Sequence, residues 1–269
     1  MPDFDPLFHL ALRGLAPSVA LALLTWLASV ARRDASLVDR TWALMIAGPA
    51  LVYAAHAGWS GPRSIALLAL VLAWALRLCA FITARNWGHG EDRRYQAIRA
   101  RNEPHFALKS LVLVFALQAV LGWIVSMPTL AALVGQRPCG ALDAAGLLLA
   151  LAGFLFEAVG DAQMAAFKAD PRNEGQVMDR GLWRWTRHPN YFGEACVWWG
   201  VWLVALAAGG LSAAWTVVSP LLMTTLLLKV SGVALLERDI GERRPAYRDY
   251  VARTNAFIPG RVRRRKDGA

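Results

Sequence analysis

Cysteine, acidic residues and charge in general are scarce in this 269-residue chain, and each scarcity closes a class of reading. The three cysteines, Cys79, Cys139 and Cys196, have no paired spacing for a metal or a redox dithiol, so they read as packing residues. His89 and Glu91, in the stretch Trp-Gly-His-Gly-Glu-Asp, stand without a second His or Cys cluster to complete a ligand set, and no metal is expected. The absence of a G-x-G-x-x-G run after a strand, and of a Walker loop, excludes a Rossmann or P-loop hold on a nucleotide. There is no repeat and no low-complexity linker. Sustained period-2 alternation is also missing, which excludes a membrane β-barrel.

What is there is apolar: 57% of the residues are hydrophobic against 18% charged, and the apolar ones come in blocks. A block of about 20 such residues crosses a bilayer core of about 30 Å as a helix. Seven blocks are expected to span, over roughly 12–31, 41–59, 64–84, 108–134, 143–166, 191–208 and 212–236. The fold class is therefore all-α, a polytopic seven-transmembrane-helix bundle forming one membrane domain over 1–269, with a tail over 237–269. Pro2, Asp3 and Asp5 precede the first block where a signal peptide would be basic, so that block reads as a retained helix.

Lysine and arginine orient the bundle. Of the 29, the first, third and fifth loops and the tail hold 24, while the other face has Arg13, Arg63 and Arg137. The positive-inside rule then places the N-terminus outside and the tail in the cytoplasm, in the inner membrane for a bacterial chain. The net charge of +10 is a topology signal, and no nucleic-acid partner is expected.

Ionisable groups inside spans usually face a cavity or one another. Here they lie in the cytoplasmic half. Glu157 and Asp161, four residues apart, share one face of helix five; Arg77 sits about two turns from the end of helix three, and Lys229 lies in helix seven. Asp39 stands at the same level where helix two begins. Structural ion pairing of these groups is the competing explanation. Trp183 and Trp185 read as interfacial anchors, and Trp198, Trp199 and Trp202 as packing. Between Arg180 and Glu194 cations, aromatics and amides crowd the mouth of the next helix, where free N–H groups and the positive dipole end favour a phosphate-bearing ligand. After helix seven, Glu237, Arg243, Arg244, Tyr247 and Tyr250 are expected to form a short amphipathic lid.

The runs Gly181-Leu182-Trp183, Arg187-His188-Pro189-Asn190-Tyr191-Phe192-Gly193-Glu194 and Phe257-Ile258-Pro259 resemble the C-terminal half of the steroid 5-alpha-reductase superfamily, in particular its bacterial branch. Glu157, Asp161 and Lys168 fall at spacings similar to that family's NADPH contacts. Gly90 to Tyr95 is similar to the same branch, so the likeness covers most of the chain. The resemblance implies a seven-helix bundle holding NADPH, with Asn190 and Glu194 near the nicotinamide amide or ribose. Lys168, Arg180, Arg187 and His188 would meet phosphates, and Arg77, Tyr191, Glu237, Arg244 and Tyr247 complete the implied cofactor set. The implied chemistry is hydride transfer to the C=C bond of a lipophilic enone drawn from the lipid bilayer, with an acid polarising the carbonyl. Where that family carries a Gln-Glu pair in helix two and a Tyr in helix three, this chain offers Asp39 as acid and Tyr53 as donor. Arg-His-Pro followed by Asn-Tyr, with paired tyrosines in the tail, also resembles membrane S-adenosylmethionine-dependent methyltransferases acting on isoprenylcysteine or phospholipid. A non-catalytic lipid-binding protein is the third reading.

Overall fold

The computed structural model describes residues 4–59, 61–230, 233 and 246–263, and every regular element among them is helical. The order is α1 (Phe4–Arg32), α2 (Leu37–Ala57), α3 (Pro62–Arg85), α4 (Arg93–Asn102), α5 (Phe106–Val134), α6 (Ala141–Ala169), α7 (Pro189–Gly209), α8 (Val218–Thr225) and α9 (Ala246–Arg253). Among the described residues five helices are long and apolar enough to cross a membrane: Pro6–Arg32, Pro62–Arg85, Phe106–Val134, Ala141–Ala169 and Pro189–Lys229. They leave Leu24, Leu27, Leu76, Leu148 and Leu155 exposed, as helices solvated by lipid do, and they fit a multi-pass membrane protein.

Five differs from the expected seven for two physical reasons. In α2 the apolar run is diluted by Asp39, Arg40 and Thr41 at one end and His56 at the other. The 41-residue Pro189–Lys229 segment covers two expected blocks, and its helix is interrupted at Gly209 and Gly210. Gly210 has φ +64°, a left-handed value that glycine adopts without steric cost and that commonly ends helices. The chain divides into two compact units, one of Met1–Ala144 with Trp202–Ser219 and one of Ala145–Val201 with Pro220–Ala269.

In the first unit α1 and α2 pack through small residues and through side chains that take over orphaned backbone groups. Pro49 has no N–H, so the Met45 carbonyl one turn back loses its helical donor; the buried Ser18 hydroxyl of α1 supplies one at 2.6 Å. At the end of α5 the Thr129 amide turns to the Ser126 carbonyl, and the Ser219 hydroxyl donates to the Val125 carbonyl at 2.6 Å. Tyr53 is wholly buried against Gly14, where an added methyl would stand 2.3 Å from its ring. Arg63, expected in an outer loop, is instead buried at the start of α3 and pairs with Asp143 at 2.6 Å while donating to the Arg137 carbonyl.

The stretch before α4 and α4 itself form a second polar lock. Asp92 caps α4 by accepting from the Arg94 amide. Glu91 accepts from Arg99 at 2.8 Å and from the Ala35 amide at 2.7 Å, tying α4 to the turn after α1. Burial alone would raise the Glu91 carboxyl, but these donors outweigh it and hold the group below its ordinary value. Arg99 also lies over the Phe106 ring. Beneath this lock Met45, Val38, Tyr95, Phe106 and Phe115 make one buried cluster.

In the second unit α6 and α7 meet on glycine. Gly146, Gly153 and Gly160 recur every seven residues on α6, and Gly193 and Gly200 do so on α7. A methyl placed on Gly193 would lie 2.5 Å from the Gly153 carbonyl oxygen and 2.6 Å from the Glu157 amide nitrogen; one on Gly200 would lie 2.5 Å from the Gly146 oxygen. Such close backbone approach is how membrane helices gain dispersion contact without a hydrophobic drive.

Gly193→Ala is accordingly expected to lower unfolding stability by about 1–3 kcal/mol. Thermal unfolding in detergent reads this, with Gly61→Ala, where an added methyl meets nothing within 4 Å, as the neutral control. The Glu91 contacts predict a pH dependence. Because its folded value is depressed, its contribution is complete above the unfolded value and is lost as pH falls through the folded one. Between about pH 7 and about pH 3 the melting temperature should fall more steeply in the native protein than in Glu91→Gln.

Candidate functional site

The region from Arg180 to Glu194 is built in the second unit by a loop, the first turns of α7 and the last turns of α6. Gly181, at φ +56°, turns the chain against Gln163, whose side-chain oxygen accepts from the Leu182 amide at 2.9 Å. Trp183 is buried and donates its indole N–H to the Gly160 carbonyl at 2.9 Å, so it braces α6 and is not the interfacial anchor that its position implied. Trp185, by contrast, is exposed. Pro189 opens α7, where its missing N–H costs nothing.

The glycine seam sets the polar wall. Gly193 faces Glu157, and Gly160 faces Pro189 and the Asn190 amide. Glu157, Asp161 and Glu194 are buried, at 1%, 5% and 7% exposure, beside His188 at 5%, and each has polar or ring partners within the protein, as buried charge requires. The His188 and Tyr191 rings stack with their planes 3° apart and centroids 5.4 Å apart. Among the described residues the buried side-chain oxygen of Asn190 accepts no hydrogen bond, which leaves it able to take a further donor. Among the described residues no group of three His, Cys, Asp or Glu could hold a metal ion.

The tail closes over this loop. Thr186 donates to the Phe257 carbonyl at 2.8 Å, the Arg187 amide to the Asn255 carbonyl at 2.9 Å, and the Gly260 amide to the Trp185 carbonyl at 2.9 Å. The buried Tyr250 hydroxyl of α9 donates to the Trp183 carbonyl. The Arg187 guanidinium donates to the carbonyls of Val251 and Thr254, so this arginine, expected on a phosphate, fastens the tail. Phe257 rests edge-on against Phe192, which rests edge-on against Phe156 of α6. Beside this clasp a cleft of about 370 Å³ is lined by Asp179, Arg180, Arg184 and Arg253, with Arg253 paired to Asp179 at 2.5 Å.

Of the expected cofactor residues the structure gathers Glu157, Asp161, His188, Asn190, Tyr191 and Glu194 in the second unit; Arg180 stands exposed in the cleft and Lys168 is exposed near the end of α6. Tyr247 packs edge-on against Tyr250. Glu237, Arg243 and Arg244 lie outside the described residues. Lys229 is exposed. Arg77 is half-buried in α3 of the first unit.

Also in the first unit, Asp39 and Tyr53 lie on the same helix 14 residues apart, about 21 Å along its axis, so one carbonyl meets one of them and not both. The Tyr53 hydroxyl lies 3.3 Å from the Ser126 hydroxyl in a sealed seam. Asp39 accepts from the Tyr95 hydroxyl at 2.6 Å and from Arg94 at 2.8 Å. Tyr95, the end of the Gly90–Tyr95 stretch, is thus the nearest partner of the expected acid. Burial and the adjacent Asp39 carboxylate hold its hydroxyl well above the ordinary value, so it stays protonated and donating.

Comparison with known proteins adds a family. Residues 25–254 match the family described as "Protein of unknown function (DUF1295)". The chain is 25% identical over 273 aligned positions to "Uncharacterized protein C594.04c" of Schizosaccharomyces pombe, covering 91% of this chain and 78% of the yeast protein. No solved structure matches.

Removing one link of the clasp tests whether the tail is held as described. Tyr250→Phe keeps the ring and loses the donor, at a cost of about 1 kcal/mol. Limited trypsin digestion at Arg248 and Arg253 should then run faster than in the native protein at equal melting temperature; equal digestion would mean that the hydroxyl contributes nothing to the clasp.

Proposed function

Because this chain belongs to the DUF1295 family, whose description records no activity, we propose its function from its own residues: a membrane-embedded NADPH-dependent reductase acting on the C=C bond of a lipophilic enone. The observation that carries the reading is the buried Asn190 oxygen without a donor, set beside buried Glu157, Asp161 and Glu194. A carboxamide N–H or a ribose hydroxyl is a donor that the Asn190 oxygen can accept from, and the nicotinamide half of NADPH brings both. In this reading Asn190, Glu194, Glu157 and Asp161 hold the nicotinamide riboside, His188 and Tyr191 flank it, and Arg180, Arg184 and Lys168 meet the phosphates. When bound, the reduced nicotinamide supplies the hydride. For the polarising acid this reading takes the Asp39–Tyr95 pair, in which Tyr95 carries the proton and the Asp39 carboxylate, fixed by Arg94, orients it.

The same reading takes α2 and the two halves of Pro189–Lys229 as separate spans, giving seven, with the N-terminus outside and the tail cytoplasmic as the Lys and Arg distribution requires. The substrate enters from the bilayer. A second reading, an S-adenosylmethionine-dependent methyltransferase, is favoured by one observation: Arg187 is engaged by tail carbonyls, which removes a cation from phosphate binding, and S-adenosylmethionine brings ribose hydroxyls but no phosphate.

Calorimetric titration of the purified protein with both ligands separates these. NADPH should bind more tightly than S-adenosylmethionine, and Asn190→Ala or Glu194→Ala should weaken NADPH by at least about ten-fold, the cost of leaving a buried group unpaired, while the melting temperature is kept. Stabilisation by S-adenosylmethionine alone would reverse the assignment.

A further inference from the structure

One open cleft of the first unit is built from residues that neither the proposed cofactor site nor the proposed acid uses. It has a volume of about 670 Å³ and is formed where α1 ends and α5 begins, with Ser29, Val30, Arg33, Glu103, His105 and Phe106 on its walls. Both helices are among those able to cross a membrane, so the cleft stands at one end of two spans, at headgroup depth. Its construction is deliberate at the backbone: Arg33 has φ +52° and His105 φ +70°. Left-handed conformations cost side chains of this size about 1 kcal/mol or more, and persist where the surroundings impose them. The imposing contacts are visible. The Trp26 indole donates to the Ala107 carbonyl at 2.8 Å, and Arg99, held by Glu91, covers Phe106.

Chemistry changes along this surface. Arg33, His105 and Arg99 line the cleft, Arg99 already paired with Glu91, against the lining carboxylate Glu103, and the adjoining sequence adds Arg32, Arg101 and Lys109. One or two turns deeper the exposed side chains are Leu27 and Val30 on α1 and Leu108 and Val112 on α5. Cations at the rim, a hydroxyl acceptor in Glu103 and a bare aliphatic surface running into the bilayer match one class of molecule.

We infer that this cleft is a binding site for an anionic glycerophospholipid, whose phosphate meets Arg33 and His105 and whose acyl chains lie along Leu27, Val30, Leu108 and Val112. Glu103 accepts from a headgroup hydroxyl, which favours a glycerol headgroup over choline. The bound lipid joins α1 to α5 at the level of the first loop and α4, independently of any cofactor.

Delipidated protein in neutral detergent, titrated with dioleoyl phosphatidylglycerol and with dioleoyl phosphatidylcholine and read by native mass spectrometry, tests this. Phosphatidylglycerol should be retained at a concentration about five-fold lower, the effect of roughly one cation on one anionic lipid. Asparagine tolerates the left-handed region, so Arg33→Asn with His105→Asn removes the cation and the imidazole while preserving the backbone. This double variant should melt as the native protein does and bind both lipids alike, whereas Arg261→Ala with Arg263→Ala should keep the preference. Equal retention of the two lipids by native protein, or a preference that survives the double variant, overturns the site. Inorganic phosphate that displaces phosphatidylglycerol at millimolar concentration identifies a free-anion site instead and overturns the lipid assignment.

Discussion

The contact on which the second unit depends is backbone against backbone. α6 and α7 approach until no atom beyond hydrogen fits between Gly153 and Gly193, and this distance fixes what stands opposite what. Glu157 is set against Gly193, and the first turn of α7 is set against Gly160. Buried acidic side chains are tolerable only in a geometry held this firmly, because each ångström of slack would admit an alternative pairing or leave a charge without one. A heptad of glycine therefore does for a polar wall what a heptad of leucine does for a coiled coil: it sets register.

The first unit solves a different problem with similar means. Its helices contain proline, which the bilayer environment permits only if the freed carbonyls find donors. Ser18 and Ser219 provide them across helix pairs, so the sites of backbone weakness become the sites of tertiary attachment. The charges obey the same economy. Arg63 pairs with Asp143 80 residues on, and Glu91, held by Arg99, accepts from the Ala35 amide 56 residues back; both locks sit at helix ends, not in mid-span.

The helical class and the approximate places of the apolar runs were legible because a bilayer imposes length and composition directly on sequence. The polar run from Arg180 to Glu194 was legible as a crowded polar stretch because charge and amide are costly at a helix mouth, and several of its side chains are buried together. Individual roles were less so. Arg187 reads as a phosphate ligand from its type and neighbours, yet its partners are tail carbonyls, and carbonyls leave no trace in a sequence. Trp183 reads as an anchor by depth, and only the Gly160 carbonyl reveals it as a brace. The pairing of Tyr95 with Asp39 was not legible, because the two lie 56 residues apart. The glycine seam did have a signal, the seven-residue spacing on two successive helices, and reading small residues as a periodic pattern would have found it.

The clasp has a consequence for biosynthesis. Its hydrogen bonds join residues separated by 64 to 75 positions, from Trp183–Arg187 to Tyr250–Gly260. As the chain emerges from the ribosome, α6 and α7 are made and inserted long before the segment that satisfies the loop between them. Until that segment arrives, the carbonyls of Trp183 and Thr186 and the guanidinium of Arg187 face water, and the wall they support is incomplete. The polar wall from Arg180 to Glu194 is thus completed last, after the two helices that carry it are in place.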